Sequence, residues 1–268
     1  MKISFIGAGN MATAIIKSIV SSNRVKPSDI FVYDKFEEKA DKLANHSGVV
    51  KCSALSDATN SGDCILLAVK PQDYESVLNE IKGCTTSLES KTFISIAAAI
   101  SCKYVCEVLG TSLPVVRVMP NTPLLLGCGA TAISRNDLVS DKLYSKICTL
   151  FASSGSVTSL SEDMMNKVIC VNGSSPVYLY MLANAMIEKA IDLGLTEKSA
   201  KELVFQTLKG SVEMLMKSGI EPSTLIDMVA SPGGTTLEAI KSLYQNDFYN
   251  TIYKAMDACT ERAEELSR

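Results

Sequence analysis

Through the first 160 residues, short and mostly apolar runs alternate with stretches in which apolar positions recur every three or four residues. The runs at 3–6, 30–33, 64–69, 92–97 and 115–119 predict strands of a parallel sheet covered on both faces, because such strands have no solvent face to carry polar alternation. The stretches 11–22, 36–45, 74–81 and 102–109 predict helices between them, and further strands near 130–133 and 156–158 flank a helix over 139–152. That β-α-β rhythm predicts a doubly wound α/β domain. From about residue 161 only the helical period remains, over 162–171, 174–193, 197–217, 223–229, 235–245 and 248–266. Gly194 and Gly219 fall where helices end, Thr196 suits an N-cap, and Pro176 and Pro222 stand near helix starts. With no low-complexity linker between them, two closely packed domains are expected, at 1–160 and 161–268.

The helix at 174–193 is apolar over most of its circumference. Tyr178, Leu179, Met181, Leu182, Ala185, Met186 and Ile187 exceed what one small core can cover. Either the helix is central within its own subunit, or it forms a helical dimer interface.

Composition narrows the function classes. Of 268 residues, 47% are apolar and 21% charged, a globular mix. The net charge of −3 comes without a basic block, which argues against nucleic acid as a partner. No apolar run is long enough to span a bilayer, so no membrane is expected. Met1 leads directly into the first strand, leaving no room for a signal peptide. Nine scattered cysteines lack paired C-x-x-C spacing and read as free thiols of a reducing cytoplasm. Cys102 and Cys106 share a helical spacing, but with His46 the single histidine no metal site is expected. His46, in a polar stretch, is expected to be exposed and uninvolved.

The chemistry starts at Gly7-Ala8-Gly9-Asn10-Met11-Ala12, between the first strand and the first helix. Gly7 permits a tight turn, Gly9 lets backbone approach a pyrophosphate, and Ala12 allows close helix–strand contact, while the helix N-terminus offers N–H groups to phosphates. The second strand ends at Asp34, 22 positions past Ala12. A carboxylate there suits a ribose 2′-hydroxyl and repels a 2′-phosphate, which tilts the choice between NADPH and NADH towards NADH; the neighbouring Lys35 keeps NADPH open. The N-terminal half is therefore expected to be a Rossmann-type dinucleotide-binding domain. Ala68-Val69-Lys70-Pro71 ends a strand at the ligand-binding edge. There Pro71 fixes the loop's direction, and Lys70 could approach the cofactor or be a surface lysine. Two prolines stiffen Met119-Pro120-Asn121-Thr122-Pro123 around an amide that both donates and accepts; the loop could hold a ligand or merely connect domains. In Ser231-Pro232-Gly233-Gly234-Thr235-Thr236, two glycines expose N–H groups just before a helix. That is a nest suited to a carboxylate, or else a plain turn with a threonine cap.

In this order GAGNMA, AVKP, MPNTP, NGSSPVY (172–178) and SPGGTT resemble the pyrroline-5-carboxylate reductases over nearly the whole chain. SPGGTT together with MPNTP is a specific combination; GAGNMA alone is not. The resemblance implies NAD(P)H-dependent reduction of a cyclic C=N bond to give L-proline, the last step of its biosynthesis. It implies a Rossmann-type domain followed by an all-α dimerisation domain, and homodimers that can assemble into decamers. It also implies an active site near the dimer interface that draws on both subunits. Carried over by position, Ile6, Gly7, Ala8, Gly9, Asn10, Met11, Asp34, Ala68, Val69, Lys70, Pro71, Ile96, Ala97 and Ala98 would contact the cofactor, with Asn121 beside the nicotinamide. Glu162 and Thr235 would line the substrate pocket, Ser231, Gly233 and Gly234 would hold the carboxylate, and the Thr236 hydroxyl would bond the ring nitrogen. Three departures bear on cofactor and substrate fit. Ser175 stands where glycine is common, Ala97-Ala98-Ala99 replaces a frequent Ala-Ala-Gly, and Asp34-Lys35 replaces small polar or basic residues.

The scarcity of catalytic groups suits this chemistry, since a protonated cyclic imine accepts hydride directly and the protein mainly aligns, dries and orients. A related cyclic imine would be served equally well. Two other readings stand beside it. A 3-hydroxyacid dehydrogenase would need a proton-shuttling lysine early on the first long helix of the second domain, where 176–187 has none. A dinucleotide-binding sensor would have no use for the nest and its threonines.

Overall fold

The computed structural model describes residues 1–85 and 87–267. They form two compact units, Met1–Ser174 joined by the chain from Cys259 onward, and Ser175–Ala258.

The first unit runs β1 (Ile3–Ile6), α1 (Asn10–Ser21), β2 (Ile30–Tyr33), α2 (Glu37–Ser47), β3 (Val50–Lys51), α3 (Leu55–Ser61), β4 (Cys64–Leu67), α4 (Tyr74–Cys84), β5 (Thr92–Ser95), α5 (Cys102–Leu109), β6 (Val115–Met119), β7 (Gly129–Arg135), α6 (Asp141–Ala152) and β8 (Gly155–Ser159). The strands form one sheet in the order β3-β2-β1-β4-β5-β6-β7-β8. Every neighbouring pair is parallel except β6 and β7. Ile3 stands opposite both Ile30 and Cys64, so β1 is central. All residues of β1, β4 and β5 are buried, as their apolar runs require. Successive side chains leave a strand on opposite faces, so Phe5 joins one core with Ile15 and Ile16 while Ile6 joins the other with Leu67 and Leu78. The chain winds outward from β1 to β3 and then restarts on the other side at β4. The carboxyl ends of β1 and β4 therefore flank the crevice where open α/β sheets bind ligands.

The structure departs from the sequence pattern in three places. β3 has two residues and α3 seven, with Leu55, Ala58 and Thr59 buried in otherwise polar sequence, which leaves too little periodic signal to read. The strand runs 64–69 and 92–97 pair only to Leu67 and Ser95, and their last residues turn into loops. The helix expected over 162–171 is two 3₁₀ turns, Glu162–Met164 and Lys167–Cys170. Between and within them Asn166 and Glu162 are drawn to the buried Arg117, and that tertiary pull overrides the local period.

The second unit contains α7 (Pro176–Asp192), α8 (Glu197–Lys217), α9 (Pro222–Val229), α10 (Thr235–Gln245) and the first part of α11 (Phe248–Glu265). The Thr196 hydroxyl caps α8 by accepting from Ser199 N at 3.2 Å. α7 packs against α8, yet none of its residues is buried. Leu179, Met181, Leu182 and Met186 are all exposed, so the reading of α7 as a helix buried in its own subunit fails. Among the described residues no helix is long and apolar enough to cross a membrane.

Candidate active site

A cavity of about 870 Å³ lies along the carboxyl edge of the sheet. Its walls come from residues 8–11 after β1, 68–71 after β4, 96–98 after β5 and 119–122 after β6, with Gly173. Of the residues expected on the cofactor, Ala8, Gly9, Asn10, Met11, Ala68, Val69, Lys70, Pro71, Ile96, Ala97, Ala98 and Asn121 are all brought to this cavity. Ile6 and Gly7 are buried and are not among the residues that line it.

Gly7 adopts φ +107°, and a Cβ there would meet the Ala68 carbonyl oxygen at 2.8 Å. Only glycine can join β1 to α1 so close to the loop after β4. A Cβ on Gly9 would meet nothing within 4 Å, so the backbone beside the first turn of α1 stays open to a ligand. The leading N–H groups of α1 have no intrahelical acceptor and carry the positive end of the helix dipole. A pyrophosphate fits this cradle, and the residues present suit a dinucleotide.

Asp34 is not on the wall. Its Oδ2 accepts from Ala8 N at 2.7 Å and its Oδ1 from Phe36 N at 2.9 Å, so the carboxylate binds the phosphate loop to the β2–α2 turn. Lys35 pairs with Asp73 at 3.9 Å. The cavity is also lined by Lys17 of α1 and by Lys39, Lys42 and His46 of α2, and the three lysines make that part of the wall cationic. His46 is exposed as expected but it does line the cavity, and its Nδ1 lies 2.6 Å from Lys42 O. The spacing of 39, 42 and 46 puts all three on one face of α2, a signal present in the sequence.

Tyr74 is a support that sequence reasoning missed, having taken it only as the start of a helix. It is fully buried, its hydroxyl donates to Leu67 O at 2.9 Å, and it lies 3.0 Å from Ser95 Oγ. It thereby joins the ends of β4 and β5, from which two cavity loops spring. Burial pushes its phenol well above the usual range, so it stays neutral. Past β5, Ala99 is held at φ +62°, a left-handed conformation, at the position where the motif often has glycine.

At the β6 end, the side chain of Asn121 is turned towards protein. Its Nδ2 donates to Asn172 O at 3.1 Å and its Oδ1 accepts from Ala130 N at 2.9 Å. Asn172 reciprocates, with Nδ2 donating to Met119 O at 2.7 Å and to Ala130 O at 2.9 Å. Both residues are 8% exposed. The Asn172 Oδ1 is buried and accepts no hydrogen bond from the described residues.

Glu162, expected at the substrate, has its carboxylate engaged by the first unit. Oε1 accepts from Cys102 N at 3.1 Å and lies 3.4 Å from Arg117 Nη1, and Oε2 faces Cys102 Sγ at 3.5 Å. Arg117 is 3% exposed and also donates to Asn166 Oδ1 at 2.5 Å. Here Glu162 neutralises a buried guanidinium and caps α5, and it is not among the cavity-lining residues. Burial, then the neighbouring carboxylate, pushes the Cys102 thiol far up, so it is no nucleophile. Cys106 Sγ is turned onto Leu113 O at 3.6 Å.

In the second unit, Gly234 N donates to Ser231 O at 2.9 Å, closing a turn with Pro232 and Gly233 at its centre and Gly233 at φ +71°. A Cβ on Gly234 would collide with Ser231 Oγ. α10 opens at Thr235, so the turn delivers the chain to a helix N-terminus as expected. Ser175, the other departure, sits at φ −58°, a conformation any residue adopts, so its side chain costs no backbone strain.

Residues 162–266 match the family described as pyrroline-5-carboxylate reductase dimerisation, and residues 2–99 match the family described as NADP oxidoreductase, coenzyme F420-dependent. The chain is 35% identical over 268 residues to the pyrroline-5-carboxylate reductase of Escherichia coli, covering all of this chain and 98% of that one. It is 34% identical over 267 residues to the enzyme of that name from Corynebacterium melassecola, covering 99% and 98%. The solved pyrroline carboxylate reductase of Plasmodium falciparum, with NADP bound, superimposes with a TM-score of 0.91 at 31% identity, covering 100% and 98%.

Proposed function

Since the chain belongs to the pyrroline-5-carboxylate reductase family, we infer that it uses NAD(P)H to reduce the C=N bond of 1-pyrroline-5-carboxylate, giving L-proline. The full-length likeness to reductases of that name carries this reading, and the cradle around Gly7 and Gly9 supplies its physical counterpart.

When bound, the dihydronicotinamide supplies hydride. The chain's own groups do the rest. The first turn of α1 takes the pyrophosphate, and loops 68–71, 96–98 and 119–122 wall the nicotinamide end, because β4, β5 and β6 lie on the side of β1 away from β2. The nest Ser231, Gly233 and Gly234, with the N-terminus of α10, takes the substrate carboxylate, and Thr235 lines the pocket. The Thr236 hydroxyl bonds the ring nitrogen and orients the iminium carbon. Glu162 serves the site at one remove, by holding Arg117 and the start of α5. Asp34, aimed by two N–H donors, keeps further lone pairs for a ribose hydroxyl, and Lys35 is engaged by Asp73. Asp34 suits NADH, while Lys17, Lys39 and Lys42 on the cavity wall suit the 2′-phosphate of NADPH, so either cofactor is accommodated.

The active form is an oligomer built on the helical unit, a homodimer that can assemble further to a decamer, with no nucleic acid or membrane as partner. The nine free cysteines suit a reducing cytoplasm. The test is spectrophotometric. Oxidation of NAD(P)H should accelerate on adding pyrroline-5-carboxylate. Reduction of NAD(P)⁺ by 3-hydroxy acids would favour the alcohol dehydrogenase instead, and cofactor binding without turnover would favour a sensor.

A further inference from the structure

The segment between β6 and β7 is clamped at its base by the two asparagines. Asn172 Nδ2 ties Met119 O, the last residue of β6, to Ala130 O in β7, at 2.7 and 2.9 Å. Asn121 Oδ1 takes Ala130 N at 2.9 Å, and its own Nδ2 returns to Asn172 O at 3.1 Å. The four bonds form a closed set. Met119, Pro120, Asn121 and Thr122 line the cavity on one side of the clamp, and Gly173 follows Asn172 directly on the cavity wall. Gly173 is tightly seated, since a Cβ there would meet Met119 Cε at 2.5 Å and Ile169 O at 3.1 Å.

Only a primary amide can make this clamp. Two donors on one nitrogen reach two carbonyls, whereas an aspartate would turn a bare acceptor on both and a serine could reach only one. Both Nδ2 hydrogens of Asn172 meet carbonyls, so the side chain serves the clamp through its two donors.

We propose that Asn172 is a positioning residue for hydride transfer, acting through Met119, Ala130 and the Asn121 carboxamide to fix the wall against which the nicotinamide ring lies. The inference rests on the reductase reading. Hydride transfer is steep in donor–acceptor distance and angle, and misplacement by about 1 Å costs on the order of a hundredfold in rate.

The test uses the full-length protein and three variants, Asn172→Ala, Asn172→Ser and the near-isosteric Asn172→Asp. In the cofactor-free protein, amide hydrogen exchange over 119–131 should speed up by roughly tenfold or more in Asn172→Ala, with β1 and β4 unchanged. In turnover, kcat should fall by about ten- to a hundredfold while KM for the dinucleotide shifts less than about threefold, and the isotope effect from cofactor deuterated at the transferred position should rise. Asn172→Ser should recover part of the loss. Asn172→Asp should be worse than alanine near neutral pH and improve relative to wild type as pH falls, because its protonated form regains one donor.

Wild-type kcat and isotope effect in Asn172→Ala would overturn the proposal. So would losses that track only the folded fraction, or exchange that speeds up evenly across the sheet. A wild-type protein inert towards pyrroline-5-carboxylate would instead overturn the reductase reading, and local exchange over 119–131 would still report on the clamp.

Discussion

At the scale of single residues, the site's polar atoms divide into those committed to protein and those presented to ligand. Asn121 and Glu162 fall in the first group, with their side-chain oxygens engaged by the fold, while Asp34 accepts two backbone N–H bonds and keeps further lone pairs for a ribose hydroxyl. Thr236, at the head of α10, is the hydroxyl proposed for the substrate nitrogen. Thr236→Ala should lower kcat/KM by about ten- to a hundredfold, the worth of one hydrogen bond to a charged group. Fluorescence titration with NADH should give an affinity close to wild type, and unchanged turnover would remove the hydroxyl from the mechanism. For Asp34→Ser the geometry adds a consequence invisible in the sequence. The substitution removes a ribose acceptor and also frees Ala8 N and Phe36 N, so affinity for both cofactors should drop. NADH should lose the more, moving the ratio of kcat/KM values towards NADPH by roughly tenfold. Equal losses with the two cofactors would show that the carboxylate serves the loop alone. The sequence could place Asp34 at the end of β2, where its chemistry suits ribose. It could not show which N–H groups lie within 3 Å, because those come from segments joined only by the sheet.

At the scale of elements, strands and long helices were legible because burial imposes a period. β1, β2 and β6 begin and end where the apolar runs do, and α5, α8 and α10 match their periodic stretches residue for residue. Elements held by few contacts or by distant partners escaped. α3 has three buried residues, β3 has only two residues in all, and residues 162–170 answer to Arg117 across 45 and 49 positions of sequence. The β5–α5 turn shows how a local departure in sequence becomes strain. Ala99 is 2% exposed and held at φ +62°, where an L-residue loses about 1–2 kcal/mol and glycine does not. The greater freedom of glycine in the unfolded chain takes back about 0.5–1 kcal/mol. Ala99→Gly should therefore stabilise the protein by about 0.5–1 kcal/mol, and a thermal scan should show Tm higher by roughly 1–4 °C. A lower Tm would mean that the methyl group packs well enough to outweigh its backbone.

At the scale of the whole molecule, the α/β half is finished by its own sequence and the helical half is not. The central strands β1, β4 and β5 are buried in full between two apolar cores, whereas α7, α9 and α10 have no buried residue at all. Met181 is 67% exposed and Met228 63%, in helices with a substantial apolar content. Exposed apolar residues in this number are what an obligate interface shows before its partner arrives, and the match of residues 162–266 to a dimerisation family points to a second copy as that partner. The sequence showed that α7 needed a second cover and left open where the cover came from; the absence of any buried residue in α7, together with the dimerisation family match, favours a second copy. Met181→Glu should then place a carboxylate in the dimer contact with no basic residue of α7 one turn away to neutralise it, since positions 177, 178, 184 and 185 are Val, Tyr, Asn and Ala. Sedimentation at micromolar concentration should find single chains where the wild type is oligomeric, and reductase activity should fall with the assembly. A Met181→Glu protein that still sediments as the wild-type oligomer would show that the contact runs along another face of the helical unit.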